Sequence, residues 1–524
     1  MTKINNIEID KFFQLAFQNL RIGNYNDAKK YFEIILSTES KNIFALYNLG
    51  IIYQELGNFD RAIEFYERVL KLKPKKLEDV YLGLGISFKA IGDYKKSLDN
   101  YENAIRVNPK CISAHNNLGN LNKQLGFYER AIDCFIKAIE IKPKYANAHH
   151  NLGLTFQDLG KKREAKKSFE TAIELEPDNL SFLNNLAILD NKVLNSELKE
   201  NVIKIVEKKN ISKKNNAYGF FILSKYEGKN NNYENEINYL LKGHKYLYEF
   251  EKRNYKKDIN YWLDILPKKV AKYDLESDNF GISKDECNLV PIFIVGVPRS
   301  GSTLVEKIIT SGKKIMSEGE ETGVLNNEFD KIIYNKSLKK INLLKFKRNI
   351  IDGYKLRNLI KKKNNFFFTD KSLENFYYLN IIKKIFPKAK IINCQRNFIS
   401  SIMSTLKNNL VNLSWTHNIY DILKYYDIYF KTIDQFTKVS ANFIYNLNYE
   451  KLIDNPEKET KDLFNYLNLP WGPECLEFYK RKNLHSRTAS NLQIRNAIYK
   501  DSRNKYSAYK KLLIEFAEEY SWFK

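Results

Sequence analysis

Residues 291–304 read Pro291-Ile292-Phe293-Ile294-Val295-Gly296-Val297-Pro298-Arg299-Ser300-Gly301-Ser302-Thr303-Leu304. The run Pro291 to Val295 is apolar without alternation and ends at a glycine turn, the pattern of a strand buried on both faces. A helix, Leu304 to Ile309, is expected straight after the turn. A glycine-rich turn that opens a helix points backbone N–H groups and the positive end of the helix dipole at an anion. Arg299, Ser300, Gly301, Ser302 and Thr303 make up that turn. Further short apolar runs at Phe366 to Thr369, Lys390 to Cys394 and Asn442 to Tyr445 alternate with helical segments. Such alternation predicts a parallel sheet with helices on both faces, whose ligands bind beyond the carboxyl ends of the strands.

The loop is close to a Walker A sequence, but Ser302 stands where the lysine belongs. No later strand is expected to end in an aspartate suited to magnesium, since Cys394 is followed by Gln395 and Arg396. A phosphoryl-transfer P-loop enzyme is therefore disfavoured, and a compact anion held without an obligate metal is expected.

The stretch from Pro298 to Leu304 resembles the 5′-phosphosulfate loop of sulfotransferases that use 3′-phosphoadenosine 5′-phosphosulfate (PAPS). The arginine is the version found in tyrosylprotein sulfotransferases and their bacterial repeat-linked relatives. The resemblance implies a P-loop-like α/β domain over residues 290–524 that transfers a sulfuryl group to an acceptor hydroxyl and releases the 3′,5′-bisphosphate PAP. It implies that Arg299, Ser300, Gly301, Ser302 and Thr303 hold the 5′-phosphosulfate, and that Arg396 and Ser404 grip the 3′-phosphate, with Ser400 and Ser401 nearby. Gly319-Glu320-Glu321-Thr322 resembles the segment carrying the proposed base in tyrosylprotein sulfotransferases. The motif places the base on Glu321, whereas ungapped spacing from Arg299 places it on Glu320. Gly323 replaces an arginine that positions tyrosine in that family. Lys371 matches the lysine that faces the leaving oxygen, Tyr449 a nucleotide-contacting tyrosine, and Arg487-Thr488-Ala489-Ser490 with Gln493-Ile494-Arg495 the carboxy-terminal clasp. There Ser490 would assist at the sulfonate and Arg495 would lie beside the nucleotide. His485 is the alternative base should neither glutamate serve.

The first third repeats itself. Gly23, Gly57, Gly92, Gly126 and Gly160 are spaced by 34, 35, 34 and 34 residues. A small residue follows each by five (Ala28, Ala62, Ser97, Ala131, Ala165) and an aromatic by nine (Phe32, Tyr66, Tyr101, Phe135, Phe169). The register resembles the tetratricopeptide repeat (TPR) over residues 9–179, which implies an all-α solenoid of stacked helix pairs. Such solenoids bind a protein or peptide along the concave face. Asn48, Asn117 and Asn151 share one place in three repeats, either as a peptide-holding ladder or as a product of composition. Residues 180–285 read as degenerate helical pairs or linker, with amphipathic helices at Asn216 to Glu227 and Tyr233 to Glu249.

The formal charge of +24 raises a nucleic-acid partner. Lysine, asparagine and isoleucine are abundant together, as AT-rich coding produces, so runs such as Lys361-Lys362-Lys363 are read as solvated surface and no nucleic acid is expected. No apolar run reaches membrane-spanning length, and Glu8 and Asp10 interrupt any leader, so a cytoplasmic protein is expected. The five cysteines show neither a disulfide framework nor metal spacing, and no metal is expected. A scaffold whose last domain binds nucleotide without catalysis is the non-enzyme alternative. The acceptor hydroxyl (tyrosine, carbohydrate, lipid or metabolite) stays open.

Overall fold

A computed structural model describes residues 6–73, 77–272, 289–314, 316–334, 342–360, 367–410, 413–481, 484, 486, 488, 490, 493–498 and 509–523. The repeats form antiparallel helix pairs, from Asn6–Arg21 with Tyr25–Thr38 to Ala146–Asp158 with Lys162–Leu175. The turn glycines Gly23, Gly57, Gly92, Gly126 and Gly160 all take left-handed φ values between 71° and 84°, which glycine adopts at little cost. Asn24, Asn58 and Asp93 follow three of them, and each caps the next helix by accepting from a backbone N–H three residues on. The small residues permit close approach. A Cβ at Gly50, Gly85 or Gly119 would lie 2.5–2.6 Å from the ring of Tyr66, Tyr101 or Phe135. Of the three ladder asparagines, Asn48 donates to Phe44 O at 2.8 Å and Asn151 to Asn116 Oδ1 at 3.0 Å.

The last domain contains the expected sheet. Strands β1 (Val290–Gly296), β2 (Phe367–Asp370), β3 (Lys390–Gln395) and β4 (Ile444–Asn448) are all parallel in the order β2-β1-β3-β4. Ile292 and Ile294 pack with Val305, Ile308 and Ile309 of the helix Ser302–Thr310, while Phe293 and Val295 join the core on the other face. The register sets Gly296 beside Cys394, and Cys394 beside Leu447. The loops leaving β1, β3 and β4 therefore emerge together, where a ligand belongs. Among the described residues no helix is long and apolar enough to cross a membrane.

The chain divides into two compact units, Met1–Thr155 and Phe156–Lys524. The second unit begins inside the helix Ala146–Asp158, so the end of that helix, the Gly160 turn and the helix Lys162–Leu175 belong with the sheet domain. Within the stretch read as degenerate helical pairs or linker, the helices Lys213–Lys229 and Tyr233–Phe250 share core with the sheet domain. Phe221, Leu240, Leu247, Tyr261 and Leu266 belong to one apolar cluster with Phe293, Phe329 and Tyr378. Polar contacts reinforce it: Tyr377 Oη donates to Trp262 O at 2.9 Å, and Glu236 accepts from Lys407 and Tyr509, each at 2.7 Å. A sheet domain cut at residue 290 would expose that core. A fragment starting at residue 290 is expected to aggregate, while one starting near residue 156 stays folded. Circular dichroism and gel filtration of the two fragments check this.

Two buried imidazoles join the same halves. His244 Nε2 lies 2.9 Å from Leu406 O and must donate there, so Nδ1 of neutral His244 accepts from His417 Nδ1–H at 2.9 Å. His417 stacks on Tyr255 with ring centres 5.1 Å apart and its Nε2 has no partner. Burial pushes His244 down to about 4 and His417 to about 2, from the ordinary 6.5. The unfolded chain therefore binds more protons below 6.5, and stability falls as pH falls through that window. Near pH 5 each imidazole is expected to withdraw about 2 kcal/mol of stability. Denaturant titrations at pH 7 and pH 5 should show the loss, and His417→Gln should make it shallower.

Candidate active site

The donor loop is bent where the sequence permits it least. Arg299 takes φ 67°, a left-handed conformation that is strained for a side chain of this size. From there its guanidinium donates to Ser404 Oγ at 2.9 Å, Ser490 Oγ at 2.6 Å and Gln493 Oε1 at 3.0 Å. Its carbonyl accepts from Arg396 Nη1 at 2.9 Å. The Arg396 guanidinium lies 4.5 Å from the centre of the Tyr449 ring. Tyr449 in turn covers Gly301, where φ is 94° and a Cβ would lie 2.3 Å from the ring. Only glycine fits there. Ser300 is buried and its Oγ has no partner, an unspent donor at the mouth of the helix Ser302–Thr310. Thr303 Oγ1 pairs with Thr488 Oγ1 at 3.2 Å.

Beside these groups is a small cleft of about 50 Å³. Arg299, Arg396, Tyr449 and Ser490 line it together with apolar Leu304, Ile453, Phe478 and Ile494. Two guanidiniums beside an aromatic and aliphatic wall suit a phosphorylated heterocycle. Arg495 does not line the cleft. Its guanidinium donates to Asp158 O at 3.1 Å and lies against Gly160 of the last repeat turn. His485, Arg487 and Ala489 lie outside the described residues.

The two glutamates separate sharply. Glu320, at φ 49°, is buried, and its carboxylate lies 3.4 Å from Lys307 Nζ. Glu321 is 54% exposed, with Oε1 3.0 Å from Lys371 Nζ, whose side chain is buried. The segment hangs on β2: Ser317 O accepts from Thr369 N, Gly319 N donates to Thr369 Oγ1, and Lys371 N donates to Glu320 O at 2.7 Å. Strand β2 ends in an aspartate, Asp370. Its carboxylate accepts from Thr322 Oγ1, Tyr354 Oη, and Ser372 N and Oγ.

Sequence reasoning missed the buried charges under the loop. Lys307 pairs with Glu318 and Glu320, and Arg481 also reaches Glu318. Glu306 Oε1 accepts from Glu320 N at 3.0 Å and Thr369 Oγ1 at 2.6 Å, while Oε2 has no partner. Burial raises Glu306 to about 7 despite Lys307 and Lys371. Burial alone would lower Lys371, but Glu321, Glu306 and Glu320 outweigh it and hold the ammonium above its usual range. Glu374, near Glu321, is likewise raised to about 7, first by burial. Nothing in the local sequence marks Lys307 or Glu306, which read as ordinary helix residues. Lys307→Met would take the buried cation from Glu320, while Glu318 keeps Arg481, and is expected to cost about 3 kcal/mol of stability, measurable by denaturant unfolding.

Residues 291–473 match the sulfotransferase family. Residues 43–76 and 146–179, with 85–126 and 119–160, match the tetratricopeptide repeat. The chain thus joins tetratricopeptide repeats to a domain that matches the sulfotransferase family. An uncharacterized protein of Aquifex aeolicus (strain VF5) is 29% identical over 247 residues, covering 44% of this chain and 32% of that protein. Protein-tyrosine sulfotransferase 1 of Danio rerio is 26% identical over 195 residues, covering 35% of this chain and 55% of the relative. The chain thus spans a third to about half of the length of these two relatives. Among solved structures, MamA from Desulfovibrio magneticus RS-1 is 25% identical, covering 32% of this chain and 95% of that one, at a TM-score of 0.30.

Proposed function

We propose that this chain transfers the sulfuryl group of PAPS to an acceptor hydroxyl. The observation that carries the reading is the donor loop: a buried Ser300 Oγ without a partner, at a helix N-terminus, beside Arg299 and a cleft that also holds Arg396. Those groups fit a nucleotide with anions at both ends. Arg299, Ser300, Gly301, Ser302 and Thr303 would hold the 5′-phosphosulfate. Arg396 and Ser404 would hold the 3′-phosphate, and Tyr449 would pack against the nucleotide. When bound, PAPS supplies an activated sulfuryl group and a bisphosphate leaving group.

The chain's own residues do the rest. Glu321, exposed where Glu320 is buried, would take the acceptor proton on its carboxylate. Lys371 Nζ, 3.0 Å from that carboxylate, would turn toward negative charge building on the leaving oxygen. Its raised pKa keeps it protonated as the proton is removed beside it. Ser490, bonded to Arg299, would assist at the sulfonate. A protein or peptide held by the repeats would supply or present the acceptor, and tyrosine is one candidate, named by the Danio rerio relative.

Titration calorimetry with PAP and with ATP tests the donor: PAP binding with ATP rejected supports the reading, and preference for ATP overturns it. Arg396→Ala is expected to weaken PAP by about 2 kcal/mol or more and to erase discrimination against AMP. Glu321→Gln is expected to lower turnover by about 10² with PAP affinity unchanged. Glu320→Gln should act on stability more than on single-turnover rate, and the reverse pattern would move the base to Glu320.

A further inference from the structure

Arg495 sits within a stretch whose other members face the cleft. Ile494, Asn496, Ala497 and Ile498 line it, whereas Arg495 turns outward. Its guanidinium meets the carboxyl end of the helix Ala146–Asp158, the first helix of the fifth repeat. A helix end offers unsatisfied carbonyls and the negative pole of the dipole, which favours a cation. Asp158 O accepts from Arg495 Nη2 and from Ser486 N, both at 3.1 Å. The seat is made by Gly160, where a Cβ would stand 2.0 Å from the Arg495 guanidinium carbon.

From that anchor an unbroken set of bonds leads to the donor loop. Ser486 Oγ pairs with Thr488 Oγ1 at 2.9 Å, and Thr488 with Thr303 at 3.2 Å. Ser490 and Gln493 accept from Arg299. We infer that the last repeat turn, through Asp158 and Gly160, is a positioning element for the donor site: it fixes Arg495 and Ser486 so that Ser490 and Gln493 can hold Arg299. The inference rests on the donor-site reading above. It gives the fifth repeat a second task, since its turn serves the catalytic cleft as well as the repeat.

The repeat supplies its own control. Gly126 occupies the same turn one repeat earlier, at φ 84°, with nothing within 4 Å of a Cβ there. Gly126→Ala and Gly160→Ala therefore impose the same backbone strain, and only the second displaces Arg495. In the full-length chain, Gly160→Ala and Arg495→Ala are each expected to weaken PAP binding about tenfold and to raise KM for PAPS more than they lower kcat. The double variant should be no worse than either single one, and Gly126→Ala should bind like wild type. Equal effects of Gly126→Ala and Gly160→Ala, or strict additivity of Gly160→Ala with Arg495→Ala, would overturn the inference. Wild-type chain that binds no PAP would overturn the donor reading, and with it the positioning role. Thermal unfolding of the same four variants would then still decide the anchor, with coupling between Gly160 and Arg495 supporting it and additivity removing it.

Discussion

One guanidinium, held at a left-handed residue, ties the candidate donor site together. Arg299 lies in the loop leaving β1, yet its bonds end on Ser404 in the helix after β3 and on Ser490 and Gln493 near the end of the chain. Its carbonyl also receives Arg396 from the loop after β3. A planar fork with five donors can satisfy three separate acceptors at once, which an ammonium on a flexible stem does poorly. The strained backbone at φ 67° is held in place by these contacts. Gly301 follows because Tyr449 leaves no room for a Cβ, and Tyr449 is held by stacking with Arg396. Each piece of the loop is constrained by a strand end that is distant in sequence and adjacent in the sheet.

Beneath the loop, electrostatics separates two neighbouring carboxylates that are chemically alike. Glu320 is drawn inward by Lys307, and its N–H is taken by Glu306. That turns the next residue outward, where the exposed Glu321 meets the buried Lys371. Removing Lys307 would undo both arrangements, since a buried carboxylate without its cation must be protonated or expelled. The cluster is therefore a positioning device as much as a stabilising one.

The boundary between solenoid and sheet domain illustrates how stability is shared in such chains. The repeats need neighbours to bury their faces, and the fifth finds its neighbours in helices that also complete the sheet domain's core. His244 with His417, and Glu236 with Lys407 and Tyr509, join helix and sheet layers by satisfied polar contacts inside an apolar core. Buried networks of this kind select one packing over others because any alternative strands a donor or acceptor.

Much of this was legible in the sequence, because local patterns carry local physics. The repeat spacing predicts paired helices, since each glycine needs a left-handed turn and each small residue meets an aromatic. The apolar runs locate all four strands to within one to three residues, since a strand covered on both faces cannot alternate. Of the residues that the donor-loop, base, lysine and clasp motifs single out, Arg299, Gly301, Arg396, Tyr449 and Ser490 line one cleft. The sequence leaves open whether Glu320 or Glu321 faces solvent, because that depends on Lys307 and Glu306, whose roles exist only once the helix Ser302–Thr310 lies against β2. Nor does it show what Arg495, read as lying beside the nucleotide, and residues 180–285, read as degenerate helical pairs or linker, pack against. Their partners, Asp158 and Gly160 for one and the sheet's core for the other, lie hundreds or many tens of residues away. Local periodicity specifies elements; which buried charge or helix end an exposed-looking side chain will meet is decided only by tertiary packing.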